Sequence, residues 1–306
     1  MGKGHSRVDL GDQEAQGEPL VATVRRSLDP ERTVLQKSGN QEGRDLMAFG
    51  QSASAARPIE GAVATMGVSD RVAFLRKTYA HLGVALIAFA AITGGMMRFA
   101  TQASLKFSGW ALQGRWSWLL VLGLFMVVGY VAERLARSET SRGLQYVGLG
   151  IAVVAEAVLL QPMLWILIVR FGNPETIGFS EGGMLAGQAA SILMQAVVIT
   201  LAIFIGLTLT VFLTKKDFSF MRGALAIASF AALGVILASA IFGFSLGAIF
   251  SGAMILLMAG YILYQTSMVM SYFPPSGYVA ASLMLFSTIA TLFWYVLRIL
   301  MELNRR

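Results

Sequence analysis

GALAIASFAALGVILASAIFGFSLGAIFSGAMILLMAGYILYQTSMVMSYFPPSGYVAASLMLFSTIATLFWYVL, Gly223 to Leu297, runs for 75 residues without an Asp, Glu, Lys, Arg or His. A soluble helix keeps a polar face in water. A bilayer span instead wants about 20 apolar residues and tolerates almost no charge. Two internal breaks divide the stretch. Phe242-Gly243-Phe244-Ser245 reads as a short turn, and Phe273-Pro274-Pro275-Ser276-Gly277 cannot continue a helix, because two prolines remove backbone donors and the glycine follows. Three membrane helices are therefore expected here: about Ala224–Ile241, Leu246–Met270 and Tyr278–Leu300.

Outward from this stretch the rest of the chain agrees. Its 306 residues are 56% hydrophobic and 13% charged, with mean hydropathy +0.66 and no cysteine. Soluble domains carry about 25% charge. The composition excludes a disulfide scaffold, a zinc–thiolate site and a cysteine nucleophile. Four further apolar segments precede Gly223: about Tyr79–Met97, Trp116–Ala132, Leu144–Val169 and one within Met184–Thr214. Trp116 and Trp118 suit interfacial anchoring. The third segment contains Glu156, Gln161 and Pro162, and the proline is expected to kink or break it. The fold class is an all-α membrane protein, a seven-helix bundle.

Residues 1–70 differ in kind. They hold 8 Lys or Arg against 10 Asp or Glu, and their Gly, Ser, Gln and Glu content supports no sustained hydrophobic period. They read as a disordered hydrophilic tail without the apolar region of a secretory signal. The start Met1-Gly2-Lys3-Gly4-His5-Ser6 fits a myristoylation pattern, but so short a match carries little weight. Residues 71–306 form the membrane domain and hold 16 basic and 7 acidic side chains. Those cations sit singly or in pairs between apolar runs, where headgroups and the positive-inside rule account for them without nucleic acid.

Loop cations give the orientation. Nine fall on the N-terminal side (Arg71, Arg76, Lys77, Arg134, Arg137, Arg142, Lys215, Lys216, Arg222). Seven fall opposite if the last segment crosses (Arg98, Lys106, Arg115, Arg170, Arg298, Arg305, Arg306). This favours a cytoplasmic N-terminus. A re-entrant last segment would make the bias steeper, yet its 23 residues at about 1.5 Å each are long enough to cross. The expectation is seven crossings.

Four blocks carry a family resemblance: Phe74-Leu75-Arg76-Lys77-Thr78-Tyr79, Thr214-Lys215-Lys216-Asp217-Phe218-Ser219-Phe220, Tyr261-Ile262-Leu263-Tyr264-Gln265-Thr266-Ser267, and Gly277-Tyr278-Val279-Ala280-Ala281-Ser282-Leu283 with Leu285-Phe286-Ser287. In order and spacing they resemble the Bax inhibitor-1/YccA family, also called the transmembrane Bax inhibitor motif family. The resemblance implies a seven-helix bundle with the last helix wrapped by the other six. In calcium-leak members it implies a proton-sharing pair of aspartates on the last two helices, because two carboxylates in a low-dielectric site cannot both ionise cheaply. Carried over, the motif places Gln265 and Ser287 at those positions, and neither titrates. The YccA-like branch, whose members modulate the FtsH membrane protease, fits this pattern better. Such a role needs helix faces and a tail. Whether residues 1–70 are an engaged tail or a solvated extension stays open.

The polar groups inside the spans have competing readings. Glu156 must be protonated, paired or beside water, since an isolated buried charge costs several kcal/mol. It is either a proton or cation site shared with Gln161, or a structural hydrogen bond or ion pair with Arg134 or Arg298. His81 reads as interfacial, and Gln265 and Ser287 as bonding each other or backbone carbonyls. Gly183-x3-Gly187 and Gly243-x3-Gly247 have packing spacing, but among 32 glycines such pairs arise by chance. No phosphate loop, catalytic triad, metal spacing or cofactor motif is present, so no enzyme activity and no cofactor are expected. Two functions follow: an inner-membrane regulatory protein binding a protease complex, or a calcium or proton leak channel or transporter that uses Glu156.

Overall fold

The computed structural model describes Thr65 and residues 67–139, 141–172 and 187–305. Among them are eight α-helices and no strand: α1 (Val68–Phe99), α2 (Thr101–Leu112), α3 (Arg115–Ala136), α4 (Arg142–Phe171), α5 (Gln188–Thr214), α6 (Arg222–Phe242, led by a tight turn at Ser219–Met221), α7 (Ala248–Ser271) and α8 (Tyr278–Leu303). All except α2 are long and apolar enough to span a bilayer. The 26 unbroken residues of α8 extend about 39 Å, more than the hydrocarbon thickness. The last segment therefore has the length of a full crossing.

Lipid replaces water as the outer solvent, which is why large apolar side chains such as Ile227, Phe230, Ile249 and Leu256 lie exposed. Burial then separates central from peripheral helices. In their most apolar stretches α4 is 67% buried and α8 61%, against 6% for α6 with its leading turn. The bundle thus has two central helices where the resemblance implied one. Around α8 stand α7, α1, α5, α4 and α3, while α6 packs on α7 and α3 at the periphery. The last helix is central, as expected, with five of the other six spans packed directly on it.

Three further points refine the expectations. Of the kink or break expected at Pro162, the break does not occur, and α4 continues through it to Phe171. Neighbouring helices bury that turn, the setting in which membrane helices tolerate proline. An unforeseen helix, α2, fills the connection between the first two spans. Its Thr101, Ser104, Ser108 and Ala111 recur at helical spacing and are buried, and the helix packs on α4. Finally, α1 begins at Val68, three residues inside the expected tail. The rest of the tail, and Gly183, lie outside the described residues.

Close approach between α3 and α4 depends on Gly148. A Cβ there would lie 2.5 Å from the Ala132 carbonyl oxygen and 2.6 Å from the Ala136 nitrogen. The packing spacing that matters is Ala132-x3-Ala136 facing Gly148. Gly243, by contrast, caps α6 at φ +81, and Gly247 precedes α7.

Candidate functional site

Helix α5 ends at Thr214 because Lys215 adopts a left-handed conformation, φ 52, at a cost of about 1–2 kcal/mol for a non-glycine residue. The chain turns there and presents Asp217. Its Oδ1 accepts the Ser219 backbone N–H at 2.8 Å, an Asx turn that organises the start of the next helix. The same oxygen accepts the Ser267 hydroxyl at 3.1 Å, and Oδ2 accepts the Tyr272 hydroxyl at 3.0 Å. Ser267 in turn accepts the Phe218 N–H at 3.1 Å. Two motifs about 50 residues apart in sequence, 214–220 and 261–267, are thus one piece of structure, in which the loop is clamped to the end of α7. Partial burial pushes the Asp217 carboxyl upward, but the Ser219, Tyr272 and Ser267 hydrogen bonds outweigh it and hold the group below the usual carboxylate range. For Tyr272, burial and the adjoining carboxylate both push the phenol up. Lys215 and Lys216 are exposed beside the clamp.

Between α7 and α8, Gln265 is buried and its Oε1 accepts the Thr288 hydroxyl at 2.8 Å. Gln265 and Ser287 were expected to bond each other or the backbone. Thr288 is the partner instead, while the Ser287 carbonyl accepts Thr291 Oγ1. One residue on a helix is a rotation of about 100°, so the position facing Gln265 belongs to Thr288.

Glu156 is buried at 7% exposure in α4. Neither arginine considered for it is its partner. Arg134 Nε donates to the Tyr130 hydroxyl at 3.0 Å, and Arg298 donates to the Leu246 carbonyl. Gln161 does not join it either, since five residues place the two side chains about 140° apart around the helix. Gln161 builds its own network. Its Oε1 accepts the Ser104 hydroxyl at 2.7 Å and its Nε2 donates to the Ala157 carbonyl at 3.1 Å, while Trp165 Nε1 donates to Ser104 at 2.8 Å. That network fastens α2 to α4. Its sequence signal was the small polar stripe of α2. His81 lies at the other end of the bundle, between the rings of Tyr146 and Tyr278, with Nε2 3.1 Å from the Tyr146 hydroxyl.

A family model described as "Inhibitor of apoptosis-promoting Bax1" matches residues 71–305. The chain belongs to the Bax inhibitor-1 family. Bax inhibitor 1 of Schizosaccharomyces pombe is 29% identical over 247 residues, 78% of this chain and 79% of the relative. An uncharacterised protein of Pseudomonas aeruginosa is 30% identical over 148 residues, 46% of this chain and 66% of the relative. The Golgi anti-apoptotic protein of vaccinia virus is 26% identical over 250 residues, 80% and 91% of the two chains. No solved structure matches. Both the Asp217 clamp and the Gln265–Thr288 contact fall inside the part matched by the Bax inhibitor-1 family model.

Proposed function

We propose that this Bax inhibitor-1 family member is a non-enzymatic regulatory protein of a bacterial inner membrane, N-terminus cytoplasmic, which binds a membrane protease complex as YccA-type proteins bind FtsH. The observation that carries the reading is the Gln265–Thr288 hydrogen bond. Gln265 and Ser287, the two positions at which the resemblance puts the carboxylates of calcium-leak members, are both neutral here, and Gln265 is bonded to the equally neutral Thr288, so the α7–α8 contact has no proton to exchange near neutral pH. The clamped loop adds support. It offers Lys215 and Lys216 on a fixed scaffold at the membrane surface, a feature suited to a protein partner. Gentle-detergent affinity capture, with identification of the bound proteins, tests the reading. Recovery of a membrane protease, lost in a variant with Lys215→Gln and Lys216→Gln, supports it. Capture of no protease component counts against it.

A second reading, an ion leak, rests on Glu156, for which the described residues offer no ion-pair partner. Reconstitution in liposomes, with calcium and proton flux measured at about pH 6 and about pH 8, separates the two. Flux abolished by Glu156→Gln would replace the regulatory reading with the channel.

A further inference from the structure

The seven cations assigned to the side on which α8 ends are not scattered. Three of them, Arg170, Arg298 and Arg305, line a single cavity of about 360 Å³ together with Trp118, Trp294 and Glu302. An adjoining cavity of about 520 Å³ shares Trp118 and Arg298 and adds Arg115. Three arginines against one carboxylate leave the first cavity at +2, and the pair of cavities at +3. Among the described residues no carboxylate forms an ion pair with any of the four, the one such pair being Arg137–Glu133 at the opposite end of α3 from Arg115.

Two of the four arginines are held in place by backbone carbonyls. Arg298 donates to the Leu246 carbonyl and Arg115 Nη1 to the Ile241 carbonyl at 3.4 Å. A guanidinium has five N–H donors, so each retains most of its fork, and that fork matches phosphate geometry. The cavity floor is apolar, formed by Met163, Ile166 and Met301. Trp118 and Trp294 stack at 5.9 Å and 21° in the same lining. Arginines beside an apolar lining at the ends of α4 and α8 complement a phosphate carrying an acyl chain better than they complement a free anion.

We propose that this cavity binds the phosphate headgroup of an anionic phospholipid from the leaflet in which α8 ends. The inference is independent of the protease reading. To test it, the full chain in neutral detergent is unfolded thermally while phosphatidylglycerol, phosphatidylcholine or inorganic phosphate is titrated in. Phosphatidylglycerol should raise the midpoint and the other two should not. Replacing the exposed pair, Arg170→Gln with Arg305→Gln, should raise the half-saturating phosphatidylglycerol concentration on the order of thirty-fold. Arg71→Gln with Arg76→Gln, at the opposite membrane face, should leave it unchanged. An equal shift with phosphatidylcholine or with inorganic phosphate overturns the proposal, as does a double variant that keeps the wild-type response. The absence of any shift with phosphatidylglycerol overturns it too. If the double variant does not fold, mass spectrometry of lipid retained by the wild-type chain decides. Preference for phosphatidylglycerol over phosphatidylcholine supports the site, and indifference overturns it.

Discussion

Gly148→Ala sets two effects of opposite sign against each other, and the structure says which wins. Alanine is the better helix former by about 1 kcal/mol, less where the unfolded chain stays partly helical in detergent. Against this, the new Cβ would lie 2.5 Å from the Ala132 oxygen and 2.6 Å from the Ala136 nitrogen, with ordinary contact beginning at 3.4 Å. The shortfall is about 0.9 Å. Those two atoms are backbone, the acceptor and donor of one helical turn of α3, so no side-chain rotation relieves the overlap. The helices must separate or shift, and overpacking of that kind costs about 1–3 kcal/mol. Net destabilisation of about 0–2 kcal/mol follows.

Gly150 supplies the control two residues along the same helix. A Cβ there meets nothing within 4 Å, so Gly150→Ala should be neutral or slightly stabilising. The propensity gain is common to both and cancels, so the two variants should differ by the overpacking cost, about 1–3 kcal/mol, which for a domain of this size is about 2–12 °C in thermal midpoint. Both are measured by thermal unfolding of the purified chain in one detergent. Gly148→Ala unfolding at or above the Gly150→Ala midpoint would refute the α3–α4 packing described here.

The register at α7–α8 is tested by Thr288→Val, which orphans Gln265 Oε1 and should destabilise by about 0.6–1.7 kcal/mol, while Ser287→Ala stays within error. Gln161→Leu strips a buried acceptor from Ser104 and should cost about 1–3 kcal/mol, read as a lower unfolding midpoint. Asp217→Asn should loosen the loop clamp by about 1 kcal/mol, the carboxylate's hydrogen bonds being discounted for its exposure. The sign of its pH dependence follows from the lowered pKa. The clamp's contribution is complete above the unfolded carboxylate value near 4 and is lost as pH falls through the folded value. Protease nicking near Lys215, followed between about pH 7 and about pH 3, should therefore rise at the acid end in the wild type and stay flat in the Asn variant.

Span boundaries were legible because charges and prolines punctuate this chain. Glu133-Arg134, Lys215-Lys216-Asp217 and Pro274-Pro275 each lie within a few residues of an observed helix end. Helix α2 was not legible. Lys106 and a stripe of Ser and Thr lower its hydropathy, so it reads as loop although that stripe is the face it buries. Centrality was hidden for a different reason. In water, a helix apolar all round is a buried helix, but in a bilayer the lipid-facing helices are apolar too, and α4 and α6 look alike by composition. Partners of single polar residues were out of reach as well. Asp217 meets Ser267 and Tyr272 across 50 and 55 positions, distances that only the fold closes.

The two central helices divide the chemistry in a way the charge-free stretch only half disclosed. From Gly223 to Leu297 no acid is present, so α8 brings none to the bundle interior, and its Glu302 lies in the final turn. The other central helix, α4, carries Glu156 about halfway along its 30 residues. Asp70, Glu133, Glu139 and Asp217 stand near helix ends or in the connections between helices, on the membrane face where α8 begins. Among the described residues, then, a proton that influences the interior through a carboxylate has Glu156 as its available carrier. Since α4 packs directly on α8, a change of charge on Glu156 would be felt at the helix that organises the bundle. The α7–α8 contact of Gln265 with Thr288 thus holds no titrating group, while one acid remains in the core. That is why Glu156→Gln, and no substitution at Gln265 or Thr288, is the variant that separates a regulatory protein from a leak.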